Sequence, residues 1–385
     1  MIYLFILIII IISTYYFDIK NIKHNKWAFY WLICLILICL SGFRYHIGID
    51  PIYYEKNWNT YPNFWDFNWN SDILKFRENS EVARFHIGWI FYVMIIQVFS
   101  KSFIAAQICN AVIINCAIFK LIKTYSKHPF SVILIYYCSF TFIEFNFELM
   151  RETIAVAIFL MYGIKYYLSK KWIKYYLIVL LAYSFHPSAM MMFLLPLIRN
   201  LKWGTKQYIV FFIIPAILIG LGGRAIVGNM LNTFLGADAY ATRYFAGGRE
   251  NNFNYFLMYA FRPTVLLGLI LLFKRHITNP QFIPIFFFSI FFMYIGTLIY
   301  TAARFTNYII IIDYIVIADI LFVLCKHFKS ILVYLIYLFL LFIPNIYQYS
   351  SPTNLARHYP YRSIFYDHPT DMQRLVERNA QRGLR

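Results

Sequence analysis

Arginines, acids and a histidine interrupt the apolar runs of this chain where they could act on an anionic substrate. Arg44-x-x-x-Gly48-x-Asp50, followed by Tyr53 and Tyr54, closes the second apolar run. Gly48 permits a turn that a side chain would obstruct. The turn brings Arg44 and Asp50 either toward one cavity or onto each other as a helix-end pair. Glu148-x-x-Arg151-Glu152 opens the run at 152–168, with Glu148 and Arg151 on one helical face by their i, i+3 spacing. The N–H groups and dipole of a helix N-terminus favour anions there. The dipole gives no reason for an arginine, so Arg151 reads either as phosphate-facing or as half of a structural ion pair. His186-Pro187-Ser188 separates two short runs. Pro187 removes a backbone donor, and the imidazole at that break is either a hydrogen-bonded structural group or a proton acceptor. Arg262-Pro263 falls inside the run at 253–273. An arginine at bilayer depth is costly and calls for a partner; Asp313 and Glu144 are the candidates. Arg304 precedes the run at 305–325, sharing a helical face with Tyr300 and Tyr308. It either snorkels to headgroups or meets phosphate.

The elements that must position these groups are membrane helices. The chain is 61% hydrophobic and 21% aromatic but only 14% charged, whereas soluble domains average about 25% charged residues. Apolar runs at 2–17, 27–43, 103–122, 129–146, 152–168, 207–222, 253–273, 281–300, 305–325 and 330–349 are long enough to span, or nearly so. Shorter runs at 85–99, 172–185 and 187–198 fall below the ~20 residues a crossing needs and read as broken or re-entrant segments. The expectation is an all-α polytopic protein forming a single integral membrane domain over 1–385. The first run carries no basic leader and no small-residue cleavage site, so it reads as a retained helix. The cysteines, at 34, 39, 109, 116, 138 and 325, all lie in apolar stretches without CxxC spacing. They encode neither a metal site nor a disulfide framework.

The net charge of +18 follows from topology rather than nucleic-acid binding, because basic residues collect on the cytoplasmic side. Lys20, Lys23, Lys26, Lys120, Lys123, Lys127, Lys170, Lys171, Lys174, Arg199, Lys202, Lys206, Lys274, Arg275, Lys326 and Lys329 all become cytoplasmic if the N-terminus is outside and 85–122 makes one net crossing. That leaves about twelve crossings. Arg44, Arg77, Arg84, Arg151, Arg224, Arg243, Arg249, Arg304, Arg357 and Arg362 then face outward, against the usual bias. A planar, permanently charged fork suits phosphate oxygens, so an outer diphosphate cavity would produce this partition. Snorkelling arginines and a disordered basic arm are the simpler account. Three outer segments complete the expected layout: an aromatic loop at 44–84, a Gly-rich loop at 223–252 and a basic tail at 350–385. No G-x-S-x-G elbow, H-E-x-x-H, Walker loop or paired-Asp metal motif is present. A lipid-linked donor fits better than a nucleotide sugar, since its tail needs a bilayer groove and its diphosphate needs arginines.

"FRYHIGIDPIYY", "LMRETIAVAIF", "SFHPSAMMM", "ARFTNY" and "YPYRSIF", in that order, resemble the EpsG family, relatives of the Wzy-type polymerases of bacterial surface polysaccharides. The resemblance runs from about Phe43 to Phe365. It matches family positions at Arg44, Gly48, Asp50, Arg151, His186 and Arg304; where many members carry an acid two residues before a glycine, this chain has His86 before Gly88. The resemblance implies a GT-C-like fold in the bacterial cytoplasmic membrane. It implies a glycosyltransferase that moves a growing glycan from undecaprenyl diphosphate to a sugar hydroxyl of a lipid-linked repeat unit, at the outer face. Under it, Arg151, Arg304 and Arg262 hold diphosphate, His186 or Asp50 accepts the proton, Arg44 orients the site, and Tyr53, Tyr54 and Glu148 contact substrate. No cofactor and no metal is implied, since arginines supply the charge. The implied partners are the lipid-linked oligosaccharide as donor and acceptor, membrane lipid and a chain-length regulator. An O-antigen ligase is the nearest rival and a flippase the next.

Overall fold

The computed structural model describes residues 2–62, 64–65, 86–199, 205–213, 261–298, 300–327, scattered positions of 332–350, and 352–366. The Gly-rich loop at 223–252, most of the aromatic loop beyond Trp65 and the tail beyond Tyr366 lie outside the described residues, as do Arg77, Arg84, Arg224, Arg243 and Arg249. The chain divides into two compact units. The first comprises Met1–Thr124, Tyr136–Met190 and Tyr349–Arg385; the second comprises Tyr125–Ile135 and Met191–Gln348.

Every element among the described residues is helical, apart from one antiparallel bridge between Arg44 and Ser363. Long apolar runs without water to bond their peptide groups satisfy those groups internally, which selects helix. Among the described residues, Ile2–Ile19 and Phe103–Tyr125 are long and apolar enough to cross a membrane. At 1.5 Å per residue the longer reaches about 34 Å, enough for a hydrocarbon core of about 30 Å. Lys26–Gly42, Ile87–Phe99, Trp172–Tyr183, Pro187–Arg199 and Pro280–Gly296 are apolar but shorter. The run expected as one span at 129–146 is instead bent by 79° between Pro129–Cys138 and Phe140–Glu148. Ser139 takes an extended backbone at the break, and its hydroxyl donates to the Tyr136 carbonyl at 2.7 Å. Tyr349 donates to the Ser139 carbonyl at 2.9 Å, which satisfies an acceptor that the break releases.

In the first unit, amides on one side of Phe103–Tyr125 hold the helices in register. Gln107 donates to the carbonyls of Gly42 and Arg44, each at 2.8 Å, and Asn110 donates to the Met150 carbonyl at 3.1 Å. Asn115 donates to Asn146 at 2.8 Å, and Asn146 donates in turn to the Tyr136 hydroxyl at 2.8 Å and the Phe142 carbonyl at 3.0 Å. Replacing Asn146 with leucine removes both ends of this network. The expected effect is a loss of about 1 kcal/mol of stability, read as a lowered thermal midpoint of the detergent-solubilised protein. An unchanged midpoint would show that the network adds nothing.

The second unit packs Arg262–Phe273, Ile283–Leu298 and Ile310–His327 with the 3-10 run Tyr300–Tyr308. Ser289 donates to a carboxylate oxygen of the buried Asp313, and Thr264 and Tyr294 hydroxyls meet at 2.8 Å. Asp319, also buried, accepts from the Thr278 amide at 2.9 Å.

Candidate functional site

The loop after Lys26–Gly42 is built around Gly48. Its φ is +92°, a region costly for any residue with a Cβ, and a Cβ there would lie 2.0 Å from the Phe147 carbonyl oxygen. The loop therefore lies directly on the backbone that leads into Glu148. That approach lets the Ile49 amide donate to Glu148 Oε2 at 2.8 Å. The other edge of the loop is strand-paired: Tyr45 N–H donates to the Arg362 carbonyl at 2.9 Å and Ile364 N–H to that of Phe43 at 3.0 Å.

Arg44 and Asp50 do not pair on each other across this turn. Arg44 is 4% exposed; its Nη1 donates to the Ser41 carbonyl, and its guanidinium stands over the Phe147 ring at 5.8 Å. Its Nε has no hydrogen-bond partner among the described residues. Burial pushes the guanidinium down to about 10, opposed by the Glu148 carboxylate, so Arg44 remains a cation at neutral pH. Asp50 is exposed at the start of the short helix Asp50–Lys56.

Glu148 and Arg151 do not share a helix face, because Leu149 is extended (ψ 130°) and ends one helix before Arg151 opens the next. Glu148 turns to Ile49 and to His358, whose Nε2 lies 2.9 Å from Oε1. Arg151 turns the other way: its Nε donates to the Tyr54 hydroxyl at 2.7 Å, with the guanidinium 5.9 Å from the same ring. Burial pushes the Tyr54 hydroxyl up; Arg151 opposes the shift, and the Asp50 charge adds to it. Asp50, Tyr54 and Arg151 thus form one electrostatic group.

The aromatic segment is a packed wall in its described part. Tyr54, Trp58, Tyr61 and Trp89 form a buried cluster with Met150 and Ile154. Trp89 donates to the Tyr61 hydroxyl at 2.8 Å, and Trp58 to the Lys101 carbonyl at 2.7 Å. Tyr54, expected at the substrate, is 4% exposed and supports Arg151 from beneath. Tyr53 is half-buried. Trp65 is 78% exposed.

His186 caps Trp172–Tyr183 through its own N–H, which donates to the Ala182 carbonyl at 3.1 Å, and Pro187 starts a 3-10 run to Leu194. The ring nitrogen Nδ1 lies 2.6 Å from Ser188 Oγ and accepts the Ser188 amide at 3.3 Å. Accepting an amide hydrogen requires a lone pair, so the ring hydrogen sits on Nε2. That nitrogen faces Glu152 Oε2 at 3.9 Å, and the carboxylate is 2% exposed. His86, standing where the resemblance implies an acid, packs edge-on against Tyr183 at 5.5 Å, and the Gly88 amide donates to the Ser184 carbonyl at 2.8 Å.

Arg44, Asp50, Tyr53, Tyr54, Glu148, Arg151 and His186 all belong to the first unit. Arg262 and Arg304 belong to the second. Arg262 starts the helix Arg262–Phe273, within electrostatic reach of Asp313; Glu144, the other candidate partner, lies in the first unit. Arg304 sits inside the 3-10 run, where i and i+3 positions eclipse. It therefore shares its side with Asn307, not with Tyr300 and Tyr308 as α-helical spacing would have it.

Sequence reasoning passed over Glu152 as a partner of His186, Ser188 as its neighbour and His358 as the partner of Glu148. Glu152 carried a signal, since an acid inside an apolar run needs compensation. His358 carried none, because its partner is 210 residues away.

A family model described as the EpsG family matches residues 27–363. No curated protein and no solved structure matches the chain.

Proposed function

The chain belongs to the EpsG family, whose members are Wzy-type polysaccharide polymerase-like proteins, and from that premise we propose that it polymerises glycan repeat units at the outer face of the bacterial cytoplasmic membrane. The donor is a growing glycan on undecaprenyl diphosphate, and the acceptor is a sugar hydroxyl of a second lipid-linked unit. The acceptor oxygen bonds to the anomeric carbon as the bond from that carbon to the diphosphate breaks; the hydroxyl proton leaves to a base, and the diphosphate takes the electron pair. The family's GT-C-like arrangement of about twelve crossings belongs to this proposal, with the apolar helices described above in its support.

The observation that carries the reading is Arg151, a cation at a helix N-terminus whose Nε is oriented by the buried Tyr54 hydroxyl at 2.7 Å, placing a guanidinium where a leaving diphosphate would be met. Charge that develops on a leaving group is best stabilised by a donor already in position. Arg262 and Arg304 are assigned to phosphate, Tyr53 to the sugars, and Arg44 to orienting the site through its loop. The proton passes from the acceptor hydroxyl to Ser188 Oγ as the Ser188 hydroxyl proton passes to His186 Nδ1. Glu152 then faces the resulting imidazolium. Asp50 is the second candidate base, favoured by its exposure and its place beside Tyr54.

Purified protein given lipid-diphosphate repeat units alone should yield a ladder of products. His186→Ala should lower the rate by about 100-fold or more, the scale of general-base catalysis, whereas Asp50→Asn retains most of it. The opposite pattern transfers the base to Asp50. Transfer to a different acceptor only would mark a ligase, and lipid movement without bond formation a flippase; either result ends the polymerase reading.

A further inference from the structure

Glu148 is gripped by two parts of the chain far from it in sequence. The Ile49 amide donates to Oε2 at 2.8 Å, and His358 Nε2 lies 2.9 Å from Oε1. The other ring nitrogen of His358 lies 2.9 Å from the Asn354 carbonyl. A carbonyl only accepts, so Nδ1 carries a hydrogen, and Nε2 meets the carboxylate as a second donor. The His358 backbone is fixed as well, its carbonyl accepting the Tyr3 hydroxyl at 3.0 Å.

The segment that follows closes the same structure from behind. Tyr361 donates to the Leu40 carbonyl at 2.9 Å, and residues 362–364 bond the backbone on both sides of Arg44. Arg44 rests on Phe147, Gly48 crosses the carbonyl of Phe147, and Glu148 comes next in the chain. Contacts at 43–49, at 147–148 and at 358–364 therefore constrain one another.

We propose that His358 is a positioning residue for the polymerase site: through Glu148 it fixes the Ile49 amide, and with it the Gly48 turn that carries Arg44 and Asp50. The 352–364 segment is then part of the site's machinery. This assignment rests on the function proposed above for residues 44–54 and 151.

The test uses the full chain in lipid nanodiscs and compares wild type with His358→Ala, His358→Gln and Glu148→Gln. Glutamine keeps a side-chain N–H able to reach Glu148, so it should restore part of what alanine removes. In His358→Ala, amide hydrogen exchange over 43–52 should quicken about tenfold or more while exchange over 103–125 stays at the wild-type rate. Turnover of the lipid-linked repeat unit should show kcat lowered by about 10- to 100-fold with KM nearly unchanged, the mark of an interaction used in the transition state. A His358→Ala, Glu148→Gln double variant should be no worse than the worse single. Unchanged exchange over 43–52 would overturn the proposal, and so would an equal rise across the chain or an unchanged kcat. If the wild type itself makes no ladder, the proposed function fails while the exchange comparison still decides whether His358 holds the turn.

Discussion

Gly48→Ala is expected to destabilise the protein by about 3 kcal/mol or more and to lower ladder formation by over roughly 100-fold. The first part of that cost is conformational: a residue with a Cβ at positive φ loses about 1–2 kcal/mol. The second is steric, because the new methyl would stand 2.0 Å from the Phe147 carbonyl oxygen. Separating the two backbones costs a further ~1–3 kcal/mol by the scale of overpacked sites. Any separation also lengthens the bond from the Ile49 amide to Glu148, so the rate loss should exceed what lower stability alone would produce. Gly268→Ala is the internal control. It lies within Arg262–Phe273, where an added Cβ meets nothing within 4 Å among the described residues, and alanine in a helix gains up to about 1 kcal/mol over glycine. A Gly48→Ala protein that melts and polymerises like wild type would remove the turn from the argument.

Arg151→Lys should be nearly as damaging as Arg151→Ala, each lowering kcat by about 100- to 1,000-fold, the scale for deleting one preorganised charged donor. Lysine keeps the charge but has no Nε donor for Tyr54 and no fork for paired phosphate oxygens. Tyr54→Phe is the informative companion. It keeps the ring beneath the guanidinium and removes only the hydroxyl that accepts from Nε at 2.7 Å. The expected loss is about tenfold, consistent with one charge-assisted hydrogen bond of roughly 1.5–3 kcal/mol that is only partly expressed in the rate. Thermal midpoints of the Arg151 variants should stay close to wild type, since the residue sits at a helix start and is only half-buried. Full activity in Arg151→Lys would show that point charge suffices and would weaken the diphosphate assignment.

Much of the fold was legible along the chain because its cause is local. An apolar stretch becomes helix wherever it lies, and the runs at 2–17, 27–43 and 103–122 reappear as Ile2–Ile19, Lys26–Gly42 and Phe103–Tyr125. The break at 129–148 was not legible. Ser139 is an ordinary helix residue in a membrane run, and the group that satisfies its carbonyl, Tyr349, lies 210 residues away. Arg304 was misplaced on its helix face for a related reason: the residues around it suit either helix period, and the observed run is 3-10.

The sequence by itself determined that this is a membrane protein of the EpsG family, that the chain turns at Gly48 and that Pro187 breaks a helix; Arg44, Arg151 and His186 it offered as expectations. These depend on hydropathy, on backbone rules for single residues and on the order of short motifs, all properties of neighbours in the chain. Only the tertiary structure decided the partners. Arg151 found Tyr54 across 97 residues, Glu148 found Ile49 across 99 and His358 across 210. Arg44 turned inward onto Phe147 while Asp50 stayed at the surface. A buried charge or donor must be matched by whatever the fold brings within about 3 Å, and chain spacing carries no record of that meeting.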